Sequence, residues 1–124
     1  MKKAIIITCI ILIVFWVLTV GSWLMFGPIF PLVQISGGSM EPTYHDGQLV
    51  LVYDLTRHTP SIGDVIVYRM PGNYSYYLIA HRVVEILPAG YITQGDANDR
   101  PDQEFPGIMY NEPVRTEQIY GVVY

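Results

Sequence analysis

Lysine is absent after Lys3 in this 124-residue chain, and cysteine occurs once, as Cys9. A single cysteine excludes an intrachain disulfide. Lying in an apolar segment, Cys9 reads as a small buried apolar group. The missing lysine excludes a serine–lysine dyad anywhere past the first three residues. Positive charge is scarce in general: after residue 30, five arginines stand against eleven acidic side chains, a balance of −6. That excludes a nucleic-acid surface, which needs clustered positive charge, and is ordinarily a solvated acidic face. Beyond the first 26 residues no stretch carries a helical period over ten or more positions, and no internal repeat is visible.

One long apolar run is present. Residues 4–26, AIIITCIILIVFWVLTVGSWLMF, carry no charge. As a helix they extend roughly 34 Å, enough to cross a bilayer core with some tilt. A cleavable signal peptide is the competing reading, with Val20-Gly21-Ser22 as a loose cleavage site. Its apolar region is usually shorter, however, and here the run continues through Trp23 and Phe26. The expected organisation is a membrane anchor over 1–26 and an extracytoplasmic β-rich domain over 27–124. Lys2 and Lys3 precede the run and no further cation follows until Arg57, so the positive-inside rule puts the N-terminus in the cytoplasm.

After GPIFPLV (27–33), which suits the membrane interface or entry into a sheet, come five β-rich runs. They are QLVLVYDL (48–55), DVIVYRM (64–70), YYLIAHRVVEIL (77–88), GYITQG (90–95) and QIYGVVY (118–124). Val, Ile, Leu and Tyr dominate them, and Gly, Pro, Asn and Asp separate them. The expected fold is mainly β: an N-terminal transmembrane helix, then a small all-β domain forming a compact sheet or barrel. ANDRPDQEFPGIMYNEP (97–113) is a long irregular connection of the kind that often carries function.

SGGSMEPT (36–43) puts Ser39 in a glycine-rich bend. A reactive serine needs a base, a group that orients the base, and donors for an oxyanion. His45 and His58 sit in polar turns and read as solvated. His81 lies between apolar neighbours in LIAHRVV and reads as strand-held and partly buried. A neutral imidazole suits proton abstraction near physiological pH. GDANDRPDQE supplies Asp96, Asp99, Asp102 and Glu104 just after a strand that LPAG (87–90) can fold back beside His81. The acids lack the complete EF-hand spacing, which disfavours calcium.

In order, these segments resemble the membrane-bound type I signal peptidases of the archaeal and endoplasmic-reticulum branch. SGGSMEPT is similar to the family's serine box, GDVIVY (63–68) to its structural strand entry, and HRVVEI (81–86) to the box where bacterial relatives carry lysine. GDANDRPD (95–102) is similar to the final box, with its two aspartates six residues apart. The resemblance implies Ser39 as nucleophile and His81 as base. Asp102 is the favoured orienting acid. Asp96 then assists from a second position, bonding backbone donors around Gly95. Two positions depart from the family pattern. Gly37 stands where many relatives have a serine that helps bind the oxyanion, leaving that task to backbone N–H groups at Gly38–Ser39 or to Ser36. Ala97 stands where asparagine is usual.

The implied activity is a membrane-bound serine endopeptidase that removes signal peptides from exported preproteins, working at the cell membrane without metal or organic cofactor. Strand Val, Ile and Leu would offer shallow pockets for small residues, and Met40 with 27–33 would touch lipid. The alternatives are a processing enzyme of the same chemistry with a narrow client list, and an inactive membrane-anchored β module that binds partners.

Overall fold

The computed structural model describes residues 1–27, 31–70, 78–105 and 111–124. Helix α1 spans Lys2–Phe26, somewhat more than the apolar run because both lysines join its first turn. It is apolar on all sides and long enough to cross a membrane, and none of its described side chains is buried within the protein. Cys9 is therefore exposed on the helix, against the expectation of a buried thiol. Gly27 ends the helix: its φ of +85° lies in the left-handed region, and its N–H donates to the Trp23 carbonyl at 2.9 Å.

The rest is a six-stranded antiparallel sheet built from β1 (Leu32–Gln34), β2 (Leu49–Tyr53), β3 (Val65–Arg69), β4 (Leu78–Leu87), β5 (Gly90–Gln94) and β6 (Ile119–Val123). Each of the five β-rich runs contributes one strand, and the short β1 begins in the last two residues of 27–33 and ends at Gln34. The spatial order is β1-β2-β6-β3-β4-β5, so the last strand inserts between β2 and β3. Leu87 pairs with Gly90, so β4 and β5 form a tight hairpin across Pro88 and Ala89. Outside α1, the helical structure among the described residues is two 3-10 turns, Asp102–Glu104 and Thr116–Gln118.

Both faces of the sheet centre are covered. Ile66, Tyr68, Val83, Tyr91, Val114, Ile119 and Val122 form one cluster, and Ile35, Val50, Val52 and Val67 the other. Strand β3 is therefore buried on both sides over four consecutive residues, Val65 to Tyr68. Antiparallel register sets Ile66 opposite His81 and Tyr68 opposite Ile79, while on the next pair Val83 lies opposite Thr93. Alternation along each strand then puts Tyr68, His81 and Thr93 on one face, from three neighbouring strands.

Candidate active site

Three chain segments converge at the open end of β4. The first is the turn that follows β1. Gly37 has a φ of +84°, a conformation that favours glycine, and its N–H donates to Asp46 Oδ1 at 2.8 Å. The chain then turns tightly, with the Glu41 N–H donating to the Gly38 carbonyl and the Tyr44 N–H to that of Met40. Ser39 emerges half-buried, while Met40 beneath it is only 1% exposed. Met40 thus anchors the turn in the core and does not reach lipid, contrary to expectation. This apolar peg ties the turn that carries Ser39 to the core.

The second segment is β4, which carries His81. Its Nε2 lies 2.9 Å from Ser39 Oγ and its Nδ1 lies 2.6 Å from Asp102 Oδ2. A carboxylate at Nδ1 selects the tautomer protonated there, so Nε2 accepts the serine O–H. Asp102 comes from the third segment, at the start of the 3-10 turn after β5. Its side chain and that of His81 are 7% and 10% exposed, so this ion-pairing unit is withdrawn from water.

The carboxylate has further donors that the sequence reading did not single out. The Tyr68 hydroxyl donates to Asp102 Oδ2 at 2.9 Å, and Thr93 Oγ1 lies 2.7 Å from the same oxygen. Burial foremost, then the Asp102 charge, holds the Tyr68 hydroxyl well above its ordinary value of 10.0, so it stays protonated. The available signal was a tyrosine inside a strand buried on both faces, where a phenol needs a partner.

Asp96 occupies a different setting. Arg82, one residue past His81, grips it with two parallel bonds: Nε to Oδ1 at 2.8 Å and Nη2 to Oδ2 at 2.6 Å. Thr43 donates to the same carboxylate at 2.5 Å, and Arg82 Nη1 donates to the Gly63 carbonyl. The expectation that Asp96 bonds backbone around Gly95 is replaced by this side-chain clamp, because a fork-shaped guanidinium outcompetes isolated N–H groups for a carboxylate. The Arg82 hydrogen bonds hold Asp96 below the ordinary carboxylate value, and Asp96 in turn raises Arg82. Thr43, Arg82 and Asp96 belong to the serine turn, the histidine strand and the acidic loop, so one ion pair ties together all three.

Gly95 closes the site. A Cβ there would stand 2.6 Å from the Ser39 carbonyl oxygen and 3.0 Å from His81 Nε2, so only glycine lets the loop pass. Behind it the Ala97 N–H donates to that same Ser39 carbonyl at 2.9 Å. The Ser39 N–H has no hydrogen-bond partner among the described residues. Ser36 is exposed on the rim of a cavity of about 380 Å³, which Val33, Ile35, Val67, Ile79 and Ala80 line and into which Ser39 and His81 open. The remaining candidates lie apart: His45 pairs with Glu41, His58 with Asp64, and Asp99 with Arg100, all toward solvent. Among the described residues no three His, Cys, Asp or Glu side chains converge as metal ligands. Chemically, the arrangement offers a hydroxyl facing an oriented imidazole beside an apolar groove, with a backbone donor adjacent.

Comparison with known proteins gives the family of the chain. The family model described as signal peptidase, peptidase S26, matches residues 3–87, which include Ser39 and His81 and stop short of both aspartates. SEC11 of Yarrowia lipolytica, a signal peptidase complex catalytic subunit, is 33% identical over 97 residues, covering 75% of this chain and 55% of that protein. SEC11 of Colletotrichum graminicola is 32% identical over 99 residues, covering 75% and 56%. Human SEC11C is 27% identical over 88 residues, covering 67% and 45%. The chain spans about half the length of the curated relatives it matches. With the serine and histidine segments inside the matched region, the chain belongs to the signal peptidase family, peptidase S26.

Proposed function

We propose that this protein is a membrane-anchored serine endopeptidase that cleaves signal peptides from preproteins. The observation that carries the reading is the unbroken line from Ser39 Oγ through both nitrogens of His81 to buried Asp102, at 2.9 and 2.6 Å, opening into an apolar groove. Ser39 attacks the scissile carbonyl as His81 Nε2 takes its proton, and Asp102 stabilises the imidazolium that forms. The Ser39 N–H, with the Gly38–Ser39 backbone, binds the oxyanion. Gly37 has no side chain to share that work, and Ser36 on the rim assists only by turning inward. His81 then gives its proton to the leaving amine. Water, activated by the same imidazole, hydrolyses the acyl-enzyme. Asp96 acts at one remove, holding the loop and the histidine strand through Arg82.

Residues 1–26 serve as the anchor and 27–124 as the peptidase domain. The N-terminus is cytoplasmic and the domain lies on the outer face of the cell membrane, beside the bilayer in which its substrates sit. The groove of Val, Ile and Ala side chains suits the small residues that precede a signal-peptide cut. No metal or organic cofactor enters the chemistry. The relatives are named as subunits of a complex, which supports a search for partner subunits.

Cleavage of a model preprotein in membranes tests this directly, comparing the intact protein with Ser39→Ala. Processing by the intact protein and none by the variant is expected. Equal processing by both removes Ser39 from the mechanism, and a panel of preproteins then distinguishes broad from narrow specificity.

A further inference from the structure

The Asp102 carboxylate receives all of its described hydrogen bonds on one oxygen. His81 Nδ1, the Tyr68 hydroxyl and Thr93 Oγ1 converge on Oδ2 at 2.6, 2.9 and 2.7 Å. We propose that Tyr68 and Thr93 are positioning residues of the Ser39–His81–Asp102 line, whose two hydroxyls keep Asp102 anionic and aimed at His81 Nδ1. This rests on the catalytic reading above.

A packing role alone would need only the shapes of these side chains. The hydroxyls do more. Tyr68 is 0% exposed and so is Thr93, so each O–H must find a partner inside the protein. Thr93 Oγ1 has one proton and two acceptors in range, Asp102 Oδ2 at 2.7 Å and the Tyr68 oxygen at 3.2 Å, and the shorter contact is to the carboxylate. The Tyr68 proton also points at Oδ2. A buried carboxylate with no donors at all would lose its solvation uncompensated and take up a proton, whereas one that keeps His81 Nδ1–H and a second hydroxyl stays anionic with a higher proton affinity. Donors from strands on either side of β4 also stop the carboxyl group from rotating, which fixes the ring it holds. Neither residue lines the groove, so their influence falls on turnover and not on substrate binding.

Removing one hydroxyl has a predictable sign. With less donation to Oδ2, the anion attracts the imidazolium more strongly, and His81 takes up its proton at higher pH. The titratable or charged groups around the imidazole are Asp102 from the loop, Ser39 from the turn, Tyr68 from β3 through Asp102, and the Asp96–Arg82 pair from the loop and β4. Tyr68→Phe alters only one of these.

The test uses the full chain reconstituted in bilayers, with Tyr68→Phe, Thr93→Val and Thr93→Ser. Preprotein cleavage is followed against pH, and the His81 ring is titrated by NMR in the same samples. Tyr68→Phe and Thr93→Val should each lower kcat about tenfold or more, the scale of a lost hydrogen bond to a charged group. KM should be unchanged, and the acidic limb of kcat/KM should move to higher pH together with the His81 titration. Thr93→Ser, which retains the donor, should restore all three. Should Tyr68→Phe and Thr93→Val leave the His81 titration where it was, the proposal is overturned, whatever happens to kcat or melting temperature. Lack of cleavage by the intact protein would instead defeat the catalytic reading, while the NMR titration, needing no activity, still decides the role of the hydroxyls.

Discussion

Two histidine–carboxylate pairs in this chain have the same separation and opposite surroundings. His81 Nδ1 lies 2.6 Å from Asp102, and His45 Nδ1 lies 2.6 Å from Glu41. In the first pair the side chains are 10% and 7% exposed; in the second they are 68% and 41% exposed. Distance therefore does not separate a buried, oriented pair from a surface contact. The exposed pair is solvated by water and screened by ions, and such contacts contribute little. In the buried pair the solvation given up must be replaced by fixed donors, here two hydroxyls on neighbouring strands, and the imidazole is held in one orientation with Ser39 on its other nitrogen. Between these extremes lies Arg82–Asp96, at 32% and 15% exposure, whose bidentate geometry suits it to hold segments together.

The comparison breaks first at the buried pair. Replacing His81 or Ser39 by alanine should lower preprotein cleavage by about 10⁴-fold or more, because nucleophile and base act as a unit. Membrane insertion, assayed by extraction and protease protection, should be unaffected. Lysine in place of His81 should not rescue turnover at neutral pH. It titrates near 10.4 unperturbed, and Asp102 beside it favours the charged form, which takes no proton from serine. Substantial cleavage by His81→Lys would mean that the aspartates do not act on residue 81 as described.

Asp102→Asn comes next. It preserves shape but presents an N–H toward Nδ1, selecting the wrong tautomer, and turnover at saturating substrate should fall by about 10³- to 10⁴-fold. Asp96→Asn should cost much less turnover and should lower the melting temperature, since it loosens the clamp on the loop without touching His81. If the two variants lose turnover equally, the distinction between the aspartates is wrong.

The clamp also makes a smaller, pH-dependent contribution. Hydrogen bonding from Arg82 depresses Asp96 in the folded protein. Its contribution is therefore complete above the unfolded value of about 3.9 and is lost as pH falls through the lower folded value. Melting temperatures followed from about pH 6 to pH 3 should show part of the acid loss in the parent and less of it in Asp96→Asn. An identical acid profile in both would remove Asp96 from the account. The smallest effect belongs to the exposed pair: His45→Gln should change stability by no more than about 0.5 kcal/mol and leave cleavage unaltered. A large loss there would show that exposure is a poor guide.

What could be read in advance followed from local pattern. The apolar run of 4–26 announces a helix able to cross a membrane because its length and lack of charge are properties of contiguous residues. The strands follow from β-branched and aromatic runs between turn residues, and five of them lie within the predicted segments. Ser39, His81, Asp96 and Asp102 stood out as residue types in a telling order. Met40 departs from its local pattern: a turn beside a long apolar segment reads as surface, whereas its side chain drops into the core. Tyr68 and Thr93 read as ordinary strand residues, and Arg82 as an unremarked cation.

The sequence by itself determined the long apolar helix, the β-rich class and the inventory of candidate groups, because these depend on hydrophobic length, two-residue alternation and side-chain chemistry along neighbouring positions. Only the tertiary structure decided which groups meet. Ser39 and His81 are 42 residues apart and His81 and Asp102 are 21 apart, and what joins them is strand register and the return of the acidic loop over one face of the sheet. A slip of one residue in β4 would turn His81 to the opposite face, away from Tyr68 and Thr93. The same geometry gives Asp102 to the histidine and Asp96 to Arg82, a division that follows from where each carboxylate lands and what donors surround it there.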